Sequence, residues 1–337
     1  MDRGTAPCYH RQARCAHEAT DPETARRDAM DELRVAFLNC RNLTGADRAA
    51  DVAATLRAAC GNAAPHGVGL AEVADAQVAR DVAEAAWHGA PYHVECRAGY
   101  SRYSGAQHLA ILWQADALDT APGSGTEVWS AVRSGRPHWM AVALQPRVAA
   151  GLPFWFVVNH WKSNIPSAWK TEAARAEASR SLGEFACGDA GRLSDAMLLI
   201  GDFNCEPHAP PFRHSPLVPA DAIRLRAVRE HSLLLNHRRR PSFFYNPMWR
   251  YLGESLPCAA GSDAPTRRLL GTYCSDTKAD DEWLMWDQLM VTRPLLAGPV
   301  AYLVEDRVTS ARPVSGCSDH CGIGLALRFT PAPRGPA

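Results

Sequence analysis

The 337-residue sequence has no apolar run approaching the roughly 18–20 residues that a membrane span requires, which argues against membrane insertion. Its first thirty residues lack the apolar stretch of a secretory signal, so a cytoplasmic location is expected. Neither charge sign is in excess. With 36 Lys and Arg against 36 Asp and Glu, overall positive charge cannot drive polyanion binding, and only a local patch could. None of the 11 cysteines forms a C-x-x-C pair, so a four-thiolate zinc site is not expected and the thiols read as reduced, buried, small hydrophobes. There is no internal repeat and no linker. What remains is 47% hydrophobic and 21% charged residues, the balance of an ordinary globular chain, which excludes global disorder. A globule of this size buries roughly 75% of its unfolded surface and needs no disulfide or metal to fold.

Apolar runs predict strands at 33–38, 68–73, 91–96, 107–113, 126–132, 138–145, 154–158, 196–200, 284–291, 300–304 and 322–329. Helical spacing predicts helices at 46–60, 75–88 and 168–186. The stretch 205–270, rich in proline and arginine, reads as long loops with short helices. Strands this apolar are covered on both faces, and so many strands with so few helices imply two packed sheets with helices outside. The predicted organisation is one α/β domain over 32–329, a loose extension at 1–31 and an irregular, proline-rich tail at 330–337.

Several of these strands end in polar residues: Asn39, Glu72, Asn159 with His160, and Asp202 with Asn204; Asp287 begins one, and Asp319 with His320 precedes the last. Strand ends are where an α/β scaffold gathers reactive side chains. If these ends meet, the site is rich in oxygen and free of thiolate, which suits a hard divalent cation, Mg²⁺ or Mn²⁺. Such a set performs phosphate-ester hydrolysis. The cation neutralises charge on the phosphoryl oxygens, a carboxylate orients or deprotonates water, and Asn and protonated His donate to the remaining oxygens.

GDFN at 201–204, SDH at 318–320, NHWKSN at 159–164, and the Asn and Glu closing the first two strands resemble the endonuclease/exonuclease/phosphatase superfamily, in that family's order, over roughly 33–329. The resemblance implies a four-layer sandwich of two stacked mixed β-sheets flanked by helices. It implies that Glu72 is the principal metal ligand, with Asn39 and Asp319 near the same ion. Asp202 resembles the carboxylate that positions water, Asn204 a holder of a phosphate oxygen, and His320 the histidine set against the phosphate and oriented by Asp287. His160 resembles the histidine that nuclease and sphingomyelinase members place near the leaving group, where abasic-site members use tyrosine. The segment Tyr100 to Trp113 resembles the family's strand leading into a hairpin, with no role assigned.

For substrate, Arg224 to Arg240 holds six arginines against one glutamate, and Arg238, Arg239 and Arg240, with Lys162, are candidate contacts to a nucleic-acid backbone. The aromatics of SFFYNPMW at 242–249 read either as packing or as surfaces for unpaired bases. A metal-dependent phosphodiesterase acting on nucleic acid is the favoured reading. The alternative is hydrolysis of a phospholipid or small phosphoester, sphingomyelinase- or phosphatase-like. A non-catalytic scaffold of the same fold would have lost one or more of these carboxylates, and all are present. No stable protein partner is implied.

Overall fold

Side chains that are apolar at consecutive positions give the central strands two buried faces, and the chain stacks its strands as two sheets. The computed structural model describes residues 32–61, 63–97, 108–130, 137–147, 152–163, 168–187, 196–212, 220–221, 244–251, 271–274, 283–298, 301–303, 307–314 and 317–329. The predicted extension at 1–31 and tail at 330–337 lie outside them, as do Tyr100 and Arg224 to Arg240.

The first sheet contains β1 (Glu32–Leu43), β2 (Gly67–Val73), β3 (Tyr92–Arg97), β4 (His108–Gln114), β15 (Ala301–Leu303), β16 (Thr309–Ala311) and β17 (Gly322–Phe329). Its order is β15-β17-β1-β2-β4-β3, with β16 pairing β17. The second contains β5 (Leu118–Thr120), β6 (Thr126–Ser130), β7 (Pro137–Pro146), β8 (Phe154–His160), β9 (Met197–Asp202), β10 (Ala220–Asp221), β11 (Phe244–Tyr245) and β14 (Asp287–Thr292). Its order is β10-β11-β14-β9-β8-β7-β5, with β6 pairing β7. Both sheets are mixed: β1 and β2 run parallel, as do β8 and β9, amid antiparallel neighbours.

Period-two alternation sorts the side chains into layers. Val35 and Phe37 of β1, Phe156 and Val158 of β8, and Leu198 and Ile200 of β9 meet between the sheets. Ala36 and Leu38 face outward, onto helices α1 (Ala49–Cys60) and α2 (Ala76–Ala86). Trp155, Val157 and Leu199 face helix α3 (Ala168–Cys187) on the far side. Helix, sheet, sheet, helix: this is the four-layer α/β sandwich. Helix α1 stops at Gly61, whose φ of 79° is a conformation open to glycine. Helix α2 starts at Asp75, whose carboxylate accepts the Val78 N–H at 2.9 Å.

The predicted strand 284–291 divides in two. β13 (Trp283–Leu284) pairs with β12 (Tyr273–Cys274), while β14 begins only at Asp287. Between them, the Met285 N–H donates to Glu206 and the Asp287 N–H to Thr272 Oγ1, so side chains replace the ladder there. A short helix α4 (Arg293–Ala297), started by Pro294, follows directly where no helix was predicted. The free cysteines of the described residues agree with the reading as small hydrophobes, Cys40, Cys205, Cys317 and Cys321 being buried. No helix among the described residues is long and apolar enough to cross a membrane.

Candidate active site

The inward-facing rows of the sandwich change character at one end. On β8, Phe156 and Val158 lead to His160; on β9, Leu198 and Ile200 lead to Asp202; on β14, Val291 and Leu289 lead to Asp287. These three polar residues stand in one register row, since His160 pairs with Asp202 across β8 and β9, and Asp287 with Asp202 across β14 and β9. A shared row puts their side chains on the same face. Opposite them, β1 runs through Val35 and Phe37 to Asn39, and the Asn39 amide donates to Asp202 Oδ2 at 3.0 Å, closing the gap between the sheets.

Glu72 breaks the alternation. Ala71 belongs to the inner core while Leu70 and Val73 belong to the outer one, so Glu72 is the extra residue of a bulge in the ladders of β2. Its φ of +59° is left-handed, a conformation that costs a non-glycine residue about 1–2 kcal/mol. The bulge turns its carboxylate inward. Oε1 comes within 3.3 Å of His160 Nε2, and Oε2 accepts the Asn42 N–H at 3.0 Å. Arg41, Asn42 and Asn204 are the other non-glycine residues with positive φ among the described residues, so the left-handed backbone gathers at this end of the sandwich. Gly201 has a related reason to be glycine: a Cβ there would lie 2.2 Å from the Asn159 carbonyl oxygen of the adjoining strand.

The segment before β17 brings in the last pair. The Ser318 hydroxyl donates to the Asn39 carbonyl at 2.7 Å and accepts the His320 N–H at 3.0 Å, fixing the SDH segment against β1. His320 Nδ1 bonds both oxygens of Asp287 at 3.0 and 2.9 Å, leaving Nε2 facing Asp202 Oδ2 at 3.7 Å and Asp319 Oδ1 at 3.9 Å. The Asn204 N–H donates to Asp202 Oδ1 at 2.9 Å, and its side-chain amide to the Trp161 carbonyl at 3.1 Å. Of the predicted residues, Asn39, Glu72, His160, Asp202, Asn204, Asp287, Asp319 and His320 thus form one connected cluster. Lys162 is half-buried, and its carbonyl accepts from Arg175. Arg238, Arg239 and Arg240 lie outside the described residues. Sequence reasoning gave Ser318 no role beyond its motif and missed Thr272, which holds Asp287. Their signal is a hydroxyl beside a functional residue, too common to single out.

The donor set suits a cation. Asp202, Asp287 and His320 are buried, and one ligand atom from each lies within 4.8 Å of the others, so the cluster is positioned to coordinate a metal ion. With Glu72 and Asp319 beside it, four carboxylates crowd the site, faced by the His160 and His320 rings and by Arg41 at 3.9 Å from Asp319. Buried negative charge in that excess calls for a positive counter-charge. His160 Nδ1 is also buried without a hydrogen-bond partner, a cost that an ordered water or ligand would remove.

No family model matches the chain, and no curated protein does. Solved structures do match. A humanized D. rerio TDP2 superimposes with a TM-score of 0.54 at 14% identity, over 89% of this chain and 100% of that one. An endonuclease/exonuclease/phosphatase family protein from Bacteroides thetaiotaomicron gives 0.51 at 18% identity, covering 88% and 98%. A mannosyl-6-phosphatase from the same organism gives 0.50 at 17%, covering 88% and 100%. The fold is that of the endonuclease/exonuclease/phosphatase superfamily. Within this fold, the polar cluster occupies the end of the sandwich where β1, β8 and β9 terminate and β14 and β17 begin.

The Asp287 and His320 pair also sets a pH dependence. Burial pushes the Asp287 carboxyl up, against the pull of His320. Burial pulls the His320 imidazole down, but Asp287 and Asp202 outweigh it and hold it above its ordinary value. Both shifts mean that the folded chain binds protons more tightly than the unfolded one, so this pair's contribution falls as pH rises through the folded histidine value. In chelator, the thermal midpoint should drop from about pH 6 to about pH 9. The drop should be smaller in the double variant Asp287→Asn with His320→Gln; an equal drop would place its cause elsewhere.

Proposed function

We propose that the protein is a divalent-metal-dependent phosphodiester hydrolase, with nucleic acid as its substrate. The observation carrying this reading is the meeting of Glu72 and Asn39 from one sheet with Asp202 and His160 from the other. Glu72 would be the principal ligand of a Mg²⁺ or Mn²⁺ ion, with Asn39 and Asp319 beside it; when bound, such an ion offsets negative charge on phosphoryl oxygens. Asp202, held by donors from Asn39 and Asn204, orients an attacking water and accepts its proton. His320, kept protonated by Asp287, directs Nε2 at a non-bridging oxygen. The second amide proton of Asn204 serves another oxygen, and His160 faces the leaving oxygen.

Support for nucleic acid rests on the arginines of 224–240. Replacing Arg238, Arg239 and Arg240 with alanine should reduce the slope of log affinity against log salt by up to about 2–3; an unchanged slope would make them ordinary surface charge. A small phosphoester is the second reading, favoured by the structural match to a mannosyl-6-phosphatase. A cytoplasmic setting belongs to the same proposal and accords with the free thiols.

A panel of plasmid, single-stranded DNA, RNA, sphingomyelin, sugar and inositol phosphates and a bis-aryl phosphate, each with Mg²⁺, Mn²⁺ or chelator, tests it. The expected result is metal-dependent cleavage of nucleic acid. Cleavage of sugar phosphate alone would transfer the activity to the second reading, and metal-independent turnover would reject both.

A further inference from the structure

Helix α1 begins on an unfavourable residue. Its N-cap is Arg48, whose side chain makes no capping bond to the helix. That position favours Ser, Thr, Asp or Asn, and a cation there opposes the helix dipole. The guanidinium turns instead towards the polar-cluster end of β1. Its Nη2 donates to the carbonyls of Arg41 and Asn42, at 2.9 Å each, and its Nη1 to the Cys317 carbonyl at 3.0 Å.

Each of these carbonyls belongs to a segment that carries the cluster. Arg41 and Asn42 are consecutive left-handed residues, with φ of 47° and 54°. They lie where β1 and β2 lose register: after Asn39 pairs with Ala71, the next pair is Leu43 with Val73. Glu72 is therefore the lone β2 residue opposite Cys40, Arg41 and Asn42, and the Asn42 N–H holds its carboxylate. Cys317 leads directly into Ser318, Asp319 and His320. Strained backbone of this kind persists only where its neighbours over-determine it. The Ser318 bond to the Asn39 carbonyl joins the two segments at one point, which sets a distance but leaves an angle free. Arg48 adds a second tie, two residues further along β1 and one residue before Ser318.

We propose that Arg48 is a positioning residue of the cation site. Its fork fixes the segment that orients Glu72 against the segment that presents Asp319 and His320. The inference rests on the cation reading of that site. A planar fork bonds both segments at once, whereas the single ammonium of lysine is a point charge that does not span them.

Mn²⁺ titration of the full chain, with thermal midpoints in chelator, tests this role. In Arg48→Met, Mn²⁺ affinity should fall at least tenfold, and Arg48→Lys, which keeps the charge, should recover little of it. Arg57 is the control, because its guanidinium also donates to two carbonyls, those of Ala85 and Ala86, at the end of α2 far from Glu72. Arg57→Met should lower the midpoint yet keep wild-type Mn²⁺ affinity. An equal loss of affinity in Arg57→Met would make the effect one of general stability and overturn the role. So would wild-type affinity in Arg48→Met, or in Arg48→Lys should the methionine variant not fold. A wild type that binds no Mn²⁺ would instead overturn the cation reading, and the role of Arg48 with it.

Discussion

Replacing Asp202 with asparagine should lower kcat by about 10²- to 10⁴-fold, with the fold retained and KM little changed. The side chain is fully buried yet polar on all sides, accepting from Asn39 and Asn204 and facing His160 and His320. Asparagine keeps the volume and still accepts from the Asn204 N–H. It cannot take a proton from water, and it turns an amide N–H₂ towards the Asn39 amide. A metal-free thermal midpoint within a few degrees of wild type, alongside the loss of turnover, would separate chemistry from folding. Turnover close to wild type would remove Asp202 from the reaction.

Glu72→Gly should likewise separate activity from stability, losing the first while keeping or raising the second. The left-handed backbone at Glu72 costs about 1–2 kcal/mol that glycine does not incur, offset in part by the extra freedom glycine has when unfolded. Removing one of four neighbouring carboxylates also relieves repulsion in the metal-free protein. The variant should therefore be as stable as wild type or more so, while losing most metal-activated hydrolysis, by about 10²-fold or more. The check is a pair of denaturant midpoints in chelator together with a Mg²⁺ activation curve. A strongly destabilised variant would mean that the carboxylate holds the bulge in place, and an unchanged activation curve would exclude Glu72 as the principal ligand.

Most of this architecture is legible in the sequence because strands covered on both faces are nearly continuous apolar runs. VAFL at 35–38, FWFVV at 154–158 and MLLI at 197–200 are apolar at consecutive positions, and each lies in a central strand. The same pattern carries the eye to Asn39, His160 and Asp202, which occupy the next inward positions after the apolar rows end. Glu72 is less legible, because strict alternation would send it outward and only the bulge brings it back. The break of the 284–291 run is invisible for a similar reason: Thr272 and Glu206 supply hydrogen bonds from distant parts of the chain.

If side chains from both sheets hold a hard cation together, Mn²⁺ binding shows it without reference to any substrate. Titration of the wild type, Glu72→Gln and Asp287→Asn with Mn²⁺, followed by the electron paramagnetic resonance of the free ion, should show saturable binding by the wild type. Affinity should fall at least tenfold in Glu72→Gln and less in Asp287→Asn, whose carboxylate is already committed to His320. No saturable binding in the wild type, or equal affinity in Glu72→Gln, would mean that the two sheets share no cation at Glu72.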